Sequence, residues 1–260
     1  MPELNICSYN VRNDNIVGGF PKAKIETVYK ELLSNYKIDV LATQEMVSST
    51  LRILKSTLTN YRILGSYRYG KNFIIKRIKP LEKYNEGNNI ITRLNVITEK
   101  TTELPWFPRD IKELYTGTFK YHSIMPRIMT EVILEIPDYG KVRFINTHLS
   151  HHLRGIVNLQ LKKLRTKIKN STIPTVLTGD FNLGIYDKTF KKFVEDLKNL
   201  GMQRVEINQR TFKKSKHNEP IDHIFIPNSW IIKDKKIIDQ KYLDNYSDHY
   251  PIIITVIPSN

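Results

Sequence analysis

The sequence is most constrained by a predicted core strand that ends in polar side chains. Residues 175–180 read TVLTGD, a β-branched and apolar run that predicts a buried strand, and Phe181 and Asn182 follow directly. Asp and Asn are unfavourable in strands, and burying them without partners costs free energy. Asp180 and Asn182 therefore indicate a polar site at the carboxyl end of this strand. The two-residue period of a strand predicts that Phe181 points the other way, into packing.

Strand-like and helix-like segments alternate along the 260 residues. Apolar residues at helical spacing predict helices over residues 21–36, 49–58, 154–169 and 188–200. Short β-rich runs predict strands over residues 4–11, 39–45, 61–65, 73–76, 89–93, 96–98, 127–136, 141–149, 175–180, 203–207, 221–226 and 250–257. Two successive strand–helix–strand halves predict one domain over residues 1–260, with two sheets packed face to face and helices outside.

Polar side chains recur at the ends of five other predicted strands. Any one of them is compatible with an ordinary buried polar group that has a partner. Together their chemistry is complementary, because carboxylate and amide oxygens suit Mg²⁺ or Mn²⁺ and imidazoles donate hydrogen bonds to phosphate oxygens. A water, a metal, an imidazole and a carboxylate are the components of a phosphoryl-transfer site. The residues are Asn10, Gln44, Glu45, His148, Asp222, Asp248 and His249.

Six short motifs carry these residues in a fixed order from residue 9 to residue 249. They are YN (9–10), QE (44–45), NTHL (146–149), GDFN (179–182), IDHIF (221–225) and SDH (247–249). With this ordered set the chain resembles the endonuclease/exonuclease/phosphatase superfamily, which has the deoxyribonuclease-I-like fold. The resemblance implies an α/β (α+β) protein, a four-layer α/β/β/α sandwich of two mixed sheets flanked by helices. It also implies a divalent metal and the hydrolysis of phosphate esters.

The resemblance implies a metal site and a water-activating group. Asn10, Glu45 and Asp248 would surround Mg²⁺, with Mn²⁺ as the alternative cation. Asp180 would position the attacking water, and Asn182 would hold a phosphate oxygen. No motif position of the family pattern is empty, which argues against a catalytically inactive relative.

Two histidines complete the implied site. His249, paired with Asp222, would stabilise charge on the oxygens bound to phosphorus, and His148 would contact the phosphate from the other side. The run HLSHH, which contains His148, His151 and His152, also raises a zinc interpretation. Zinc would require the loop to curl back, and no cysteine or fourth ligand lies nearby in the sequence. His151 and His152 are therefore interpreted as loop residues near the phosphate entry, with plain exposure as the alternative.

Further substrate contacts are expected from an aromatic loop and from basic residues. Trp106, in the loop LPWFPRD, would stack on a base or enter lipid, and core packing is the open alternative. Arg127, which opens a predicted strand, would reach the substrate phosphate. The basic cluster at residues 162–165 lies on the polar face of a predicted helix and is expected to be solvated. The cluster at residues 213–216 would contact a phosphate backbone.

The charge balance favours an anionic substrate. The chain has 41 Lys and Arg against 26 Asp and Glu, a formal net charge of +15 that attracts polyanions, although a Lys-, Ile- and Asn-rich composition also results from AT-rich coding. We expect a Mg²⁺-dependent phosphodiesterase, a nuclease acting on DNA or RNA. The alternative is a phosphoinositide- or sphingomyelin-type lipid phosphodiesterase, which would bind an anionic lipid headgroup, or a tyrosyl-DNA phosphodiesterase with the same catalytic core. No protein partner is evident, and a monomer is expected.

The sequence also bears on the compartment. No apolar run approaches the length needed to cross a bilayer, and the first residues lack the basic patch and apolar core of a secretory signal. Cys7 is the only cysteine, so no internal disulfide forms. These features predict an intracellular protein, and a cysteine-poor secreted protein would also fit them.

Overall fold

The computed structural model describes residues 3–12, 20–68, 85–105, 126–151, 153–243 and 245–259. These ranges contain four helices and twelve strands. The helices are α1 (Lys22–Asn35), α2 (Ser48–Thr57), α3 (Arg154–Lys169) and α4 (Lys188–Lys198). The strands are β1 (Leu4–Asn10), β2 (Val40–Val47), β3 (Arg62–Leu64), β4 (Glu86–Thr92), β5 (Asn95–Leu104), β6 (Arg127–Ile136), β7 (Gly140–His148), β8 (Thr175–Asp180), β9 (Met202–Arg204), β10 (Asp222–Pro227), β11 (Ile231–Ile237) and β12 (Ile252–Ile257).

The twelve strands form two mixed sheets of six strands each. The first sheet has the spatial order β11-β12-β1-β2-β4-β3, and the second has the order β5-β6-β7-β8-β10-β9. Each sheet has one parallel pair at its centre, β1 with β2 and β7 with β8, and its other pairs are antiparallel. The carboxyl ends of parallel neighbours meet at one edge of a sheet, so each sheet has one edge where two strand ends lie together.

Three apolar layers hold the molecule together. The two sheets pack face to face through residues such as Ile6 and Ile254 from the first sheet and Phe144 and Val176 from the second. A second core lies between the first sheet and α1 and α2, and a third lies between the second sheet and α3 and α4. The four-layer α/β/β/α sandwich is therefore confirmed. Phe181 is fully buried in the third core, as the strand alternation predicts.

The structure differs from the predicted elements mainly at exposed strands. Strand β11, with the sequence IIKDKKI, was not predicted, because five of its seven residues are exposed and its charges hide the apolar alternation. It forms the edge of the first sheet, where lysines discourage pairing with another chain. Strand β9 is shorter than the predicted 203–207, and the strand predicted at 73–76 lies outside the described residues. None of the helices in the described ranges has the length and apolarity needed to span a bilayer.

Candidate active site

The two parallel strand pairs bring polar side chains from both sheets to one edge of the sandwich. Asn10 ends β1, and β2 runs parallel beside it; His148 ends β7, and Asp180 ends β8 in register with it. A direct hydrogen bond connects the two sheets here, because Asn10 Nδ2 in the first sheet donates to Asp180 Oδ2 in the second at 2.9 Å. The same amide donates to Glu45 Oε1 at 3.0 Å. The carboxylates of Glu45 and Asp180 therefore face one amide across the gap between the sheets.

Glu45 reaches this edge because β2 carries a bulge. Thr43 pairs with Asn89 on β4 and Met46 pairs with Gly87, so two residues of β2 oppose one residue of β4. Glu45 sits in the left-handed region with φ of +63°, a conformation that costs a non-glycine residue of the order of 1–3 kcal/mol and is found often at functional sites. The bulge interrupts the alternation of β2 and turns the Glu45 carboxylate toward the catalytic edge.

Asp180 is held at the end of β8 by a close contact between strands. Gly179 precedes it with φ of +150°, and a Cβ there would collide with the carbonyl oxygen of Thr147 on β7. The backbone amide of Asn182, itself left-handed with φ of +53°, donates to Asp180 Oδ1 at 2.9 Å. Burial and the negative charge of Asp222 raise the pKa of Asp180 to about 7, although His249 and the bonds from Asn10 and Asn182 oppose the rise. At neutral pH the protonated and ionised forms of this carboxyl group are therefore both populated.

His249 and Asp222 form a buried dyad beside Asp180. His249 Nδ1 donates to Asp222 Oδ2 at 2.8 Å, and His249 Nε2 lies 3.8 Å from Asp180 Oδ2. Burial disfavours the imidazolium, but the charge and hydrogen bond of Asp222, with the charges of Asp180 and Glu45, raise the pKa of His249 to about 10. His249 is therefore a cation at neutral pH whose Nε2–H is free of Asp222. The hydroxyl of Thr211 accepts from the Asp222 backbone amide at 3.1 Å and fixes the start of β10.

His148 has the opposite charge state. Burial, followed by the charges of Arg127 and Arg68, lowers the pKa of His148 well below its usual range, so the ring is neutral. Arg127 Nη1 lies 3.0 Å from His148 Nδ1. Because a guanidinium only donates, Nδ1 is the acceptor and the ring proton resides on Nε2. Nε2 lies 3.6 Å from Asp180 Oδ2, so His148 presents a neutral N–H donor to the same edge.

The donor set fits a divalent cation. Ligand atoms of Glu45, His148 and Asp180 lie within 4.8 Å of one another, as do those of Asp180, Asp222 and His249. Among the described residues, Asp222 Oδ1 is buried and has no hydrogen-bond partner, and the charge of Asp222 adds to burial in raising the pKa of Asp180, so a cation near these two carboxylates would be favourable. His148 Nε2 carries a proton and cannot ligate in this tautomer. The oxygens of Glu45 and Asp180 are hard ligands of the kind that Mg²⁺ and Mn²⁺ prefer.

Comparison with known proteins places this geometry in a family. The family model described as "Endonuclease/Exonuclease/phosphatase family" matches residues 7–249, nearly the whole chain. The chain belongs to the endonuclease/exonuclease/phosphatase family. Members of this family hydrolyse phosphate esters, so the chain is an enzyme of that class. The resemblance inferred from six motifs is thereby confirmed.

Solved structures share the fold at low identity. An endonuclease/exonuclease/phosphatase from Bacteroides vulgatus superposes with a TM-score of 0.76 at 18% identity, covering 100% of both chains. A mannosyl-6-phosphatase from Bacteroides thetaiotaomicron VPI-5482 gives a TM-score of 0.72 at 20% identity, covering 98% of this chain and 99% of the other. TDP2 of D. rerio, complexed with a single-strand DNA product, gives 0.69 at 16% identity, covering 99% and 100%. The comparison with curated proteins gives no match.

Two residues expected as metal ligands of this endonuclease/exonuclease/phosphatase family member have other partners in the structure, and their role as ligands stays a prediction. Asp248 belongs to neither of the two candidate metal groups, and its Oδ2 lies 3.4 Å from Arg12 Nε and 3.9 Å from Lys214 Nζ. Asn10 Oδ1, the expected ligand atom, accepts from the Arg12 backbone amide at 2.9 Å. Arg127 contacts His148, as described above, and its role toward the phosphate stays a prediction.

The remaining expected contacts lie beside the site or outside the described residues. His151 and Asn182 line a depression of about 270 Å³ next to the catalytic edge. Neither of the two candidate metal groups among the described residues includes His151, so the zinc interpretation gains no support there. His152 and Trp106 lie outside the described residues.

Three neighbours of the site were given no role from the sequence. Glu86, at the start of β4, contacts Arg68 and lies 3.4 Å from Arg127 Nη1, so a buried chain of charges leads to His148. Asn146 of β7 donates to the carbonyls of Thr43 and Asn89 at 2.8 and 2.9 Å and links the two sheets. Asn146 was visible in the motif NTHL, but nothing in the sequence marks Glu86 or Arg68.

Proposed function

We propose that the protein is a Mg²⁺- or Mn²⁺-dependent phosphodiesterase that cleaves nucleic acid, DNA or RNA. The observation that supports this is the convergence of Glu45, Asp180 and His249 on one edge shared by both sheets. Asp180 belongs to two groups, one that includes Glu45 and one that includes His249, and within each group the potential ligand atoms lie within 4.8 Å of one another. The net charge of +15 adds a field that attracts polyanions. Membership of a phosphate-ester hydrolase family supplies the reaction class, and the substrate and the metal are our proposal.

Glu45 is the metal ligand that the geometry favours, with Asp180 beside it. A bound divalent cation supplies positive charge against the phosphate oxygens. The amide of Asn10 orients both carboxylates through its two hydrogen bonds. We retain Asp248 and the oxygen of Asn10 as proposed ligands; both would have to exchange their present contacts with Arg12 for the cation.

Different side chains of the site accept the proton of the water and stabilise the charge on the phosphate. Asp180, with a pKa near 7, orients a water and accepts its proton as the water oxygen attacks phosphorus; the P–O bond to the leaving oxygen breaks, and that oxygen takes a proton from solvent. The His249 imidazolium, held by Asp222, donates Nε2–H to a non-bridging phosphate oxygen and offsets the charge that develops there. His148 donates its neutral Nε2–H to the phosphate from the second sheet. Asn182 stays a proposed phosphate contact, and to make it the side-chain amide would have to leave the Leu149 carbonyl, to which it donates at 3.0 Å. In this arrangement Arg127 donates a hydrogen bond to His148, so its effect on the phosphate would act through the orientation and charge of that ring.

A substrate panel tests the proposal. Purified protein is incubated with single- and double-stranded DNA, RNA, phosphoinositide vesicles, sphingomyelin and a sugar phosphate, each with Mg²⁺, with Mn²⁺ and with chelator. We expect metal-dependent cleavage of a polynucleotide. Cleavage of a lipid or of the sugar phosphate with both polynucleotides intact would contradict the nuclease proposal and leave the family assignment standing.

A matched pair of variants tests the assignment of Asp180. Asp180→Asn should lower the rate by about 10²–10⁴-fold, the usual contribution of a general base. Asp234→Asn, the same chemical change at an exposed ion pair with Lys236 on β11, should leave the rate unchanged. Equal activity of Asp180→Asn and the wild type, with both folded, would remove Asp180 from the mechanism.

A further inference from the structure

Positive charge is distributed unevenly over the two helical layers. Helix α3 carries six Lys or Arg residues and no Asp or Glu, and α4 carries four Lys with two acidic residues, a net charge of +8. Helices α1 and α2, which cover the other sheet, carry a net charge of +3. The layer over the second sheet therefore produces much of the positive field of the protein.

The basic side chains of α3 and α4 surround a groove between the two helices. Lys162 and Arg165 from α3 face Lys188 and Lys192 from α4 across a cavity of about 390 Å³. Its apolar lining includes Leu161 and Phe193, whose side chains are buried. Asp196 is the acidic residue that lines it, and Arg165 Nη1 donates to this carboxylate at 3.0 Å. Lys162, Lys188 and Lys192 are exposed, so the groove presents cations to a ligand from solvent.

The groove leads to the catalytic edge. Thr189, at the start of α4, lines both this groove and the adjacent 270 Å³ depression that contains His151 and Asn182. Arg154 also lines the depression and donates to Asp187 Oδ2 at 2.9 Å. Asp187 in turn caps α4 by accepting from the Thr189 backbone amide at 2.8 Å. Basic residues therefore follow one another from the neighbourhood of Asp180 outward between α3 and α4.

We propose that this basic groove, defined by Lys162, Arg165, Lys188 and Lys192, binds the sugar-phosphate backbone of a single-stranded nucleic acid beyond the scissile phosphate. The inference rests on the proposed nuclease function and makes its substrate class narrower. The groove holds about 390 Å³ between two packed helices, whose axes typically lie about 8–10 Å apart, so its narrow shape suits a single extended strand better than the wider body of a duplex. Spaced cations contact the phosphates and not the bases, so single-stranded DNA and single-stranded RNA should bind with similar affinity.

Nucleic acid fits this surface better than a membrane does. A membrane-binding helix buries a continuous apolar face in the interface, whereas Leu159 is the one large apolar side chain exposed on the described parts of α3 and α4. Tyr186, which is 70% exposed, lies in the loop that leads to α4, with Lys191 Nζ 5.7 Å from the centre of its ring. An exposed ring beside spaced cations is the arrangement on which an unpaired base stacks.

The test compares two neutralised pairs with the same change in net charge. Lys162→Gln/Lys192→Gln removes two cations of the basic groove, and Lys233→Gln/Lys235→Gln removes two exposed cations of β11 in the other sheet. Binding of 20-nucleotide single-stranded DNA and RNA is measured by fluorescence anisotropy against salt, in the Asp180→Asn background. Since each phosphate contact on a single strand contributes about 0.7 to the salt slope, the groove pair should lower the slope by about 1.4. The β11 pair should leave it unchanged.

Turnover separates the groove from the catalytic proposal. Both pairs are also made in the active protein, where kcat/KM for bis(p-nitrophenyl) phosphate should stay within twofold of the wild type. For oligonucleotides of four to sixteen nucleotides, the wild type should gain in kcat/KM with length and the groove pair should lose that gain. The proposal would be overturned by an unchanged salt slope in the groove pair or by an equal decrease of the salt slope in the β11 pair. It would also be overturned if the groove pair weakened binding only to anionic phosphatidylserine vesicles, measured in parallel, and not to single strands. A wild type that binds single strands through the groove but cleaves none would refute the nuclease function instead.

Discussion

Replacing Asp222 with Asn should make the enzyme lose activity as the pH rises above about 7, where the wild type keeps its activity because Asp180 is ionised and His249 is still protonated. The change keeps an oxygen that accepts from His249 Nδ1 at the present 2.8 Å and removes only the charge. With a pKa of about 10 in the wild type, His249 is about 99% protonated at pH 8. In the variant, burial still opposes the imidazolium, while the charges of Asp180 and Glu45 still favour it. If these two effects cancel, His249 has the ordinary pKa of about 6.5, and about 3% remains protonated at pH 8 and about 75% at pH 6.

These fractions set the size of the effect. If the His249 imidazolium is the form that stabilises the transition state, Asp222→Asn should lower kcat/KM by about 30-fold at pH 8 and by less than about twofold at pH 6. The assay is hydrolysis of bis(p-nitrophenyl) phosphate at saturating Mg²⁺ between pH 5.5 and 9, with circular dichroism at each pH to show that the variant is folded.

A second background isolates the charge of His249. In His249→Gln the activity should be low at every pH, and adding Asp222→Asn should produce no further pH-dependent loss. A uniform loss across the pH range in the single variant Asp222→Asn, with the fold intact, would refute the argument, because it would mean that Asp222 acts on something other than the protonation of His249.

Three further outcomes follow from the site. The pKa of Asp180 is raised to about 7, so below pH 7 a proton competes with the cation for this carboxylate. Metal affinity, measured by calorimetry, should therefore weaken by up to about tenfold per pH unit below 7 and be constant above it. The variant Asp180→Asn should show no such pH dependence of metal affinity. Glu45→Gln should weaken metal binding more than Asp248→Asn, and the reverse order would assign the cation to Asp248 instead. Gly179→Ala should lower the free energy of unfolding by more than about 2 kcal/mol, since both a Cβ collision and the positive φ disfavour alanine there. Gly140→Ala is the control, because at that position only the positive φ disfavours alanine. Equal decreases of the melting temperature in the two variants would show that the close contact at Gly179 does not matter.

The sequence was sufficient to predict the buried strands and most of the helices. Strand β6 and helix α3 begin and end where the apolar pattern places them, because each buries a regular face against a sheet. Strand β11 could not be predicted, because an edge strand with mostly exposed, charged residues lacks the alternation of apolar and polar residues that indicates a strand. Pattern-based reasoning recovers elements that bury surface and misses those held mainly by backbone hydrogen bonds.

The sequence also predicted which side chains gather at the site, but not how they contact one another. The bulge at Glu45 depends on the pairing of β2 with β4, so no local signal shows that this residue turns toward the catalytic edge. The chain from Arg68 through Glu86 to Arg127 joins residues from three separate segments. The contact of Asp248 with Arg12 likewise joins distant segments, and the SDH motif gives no sign of it.

The two buried histidines of the candidate site show that the neighbours of a side chain, and not its residue type alone, decide its charge. His148 and His249 are both buried imidazoles near Asp180, and burial alone would leave both neutral. Arg127 at Nδ1 of His148 reinforces that effect and fixes the ring as a neutral Nε2–H donor, whereas Asp222 at Nδ1 of His249 reverses it and produces a cation. One phosphate can then receive a charged donor from one side and a neutral donor from the other while Asp180 accepts a proton between them. Burial and the charge of Asp222 raise the pKa of Asp180 to about 7, and the neutral His148 adds no second cation to oppose that rise, so the carboxyl group titrates in the range that the proposed general base needs at neutral pH.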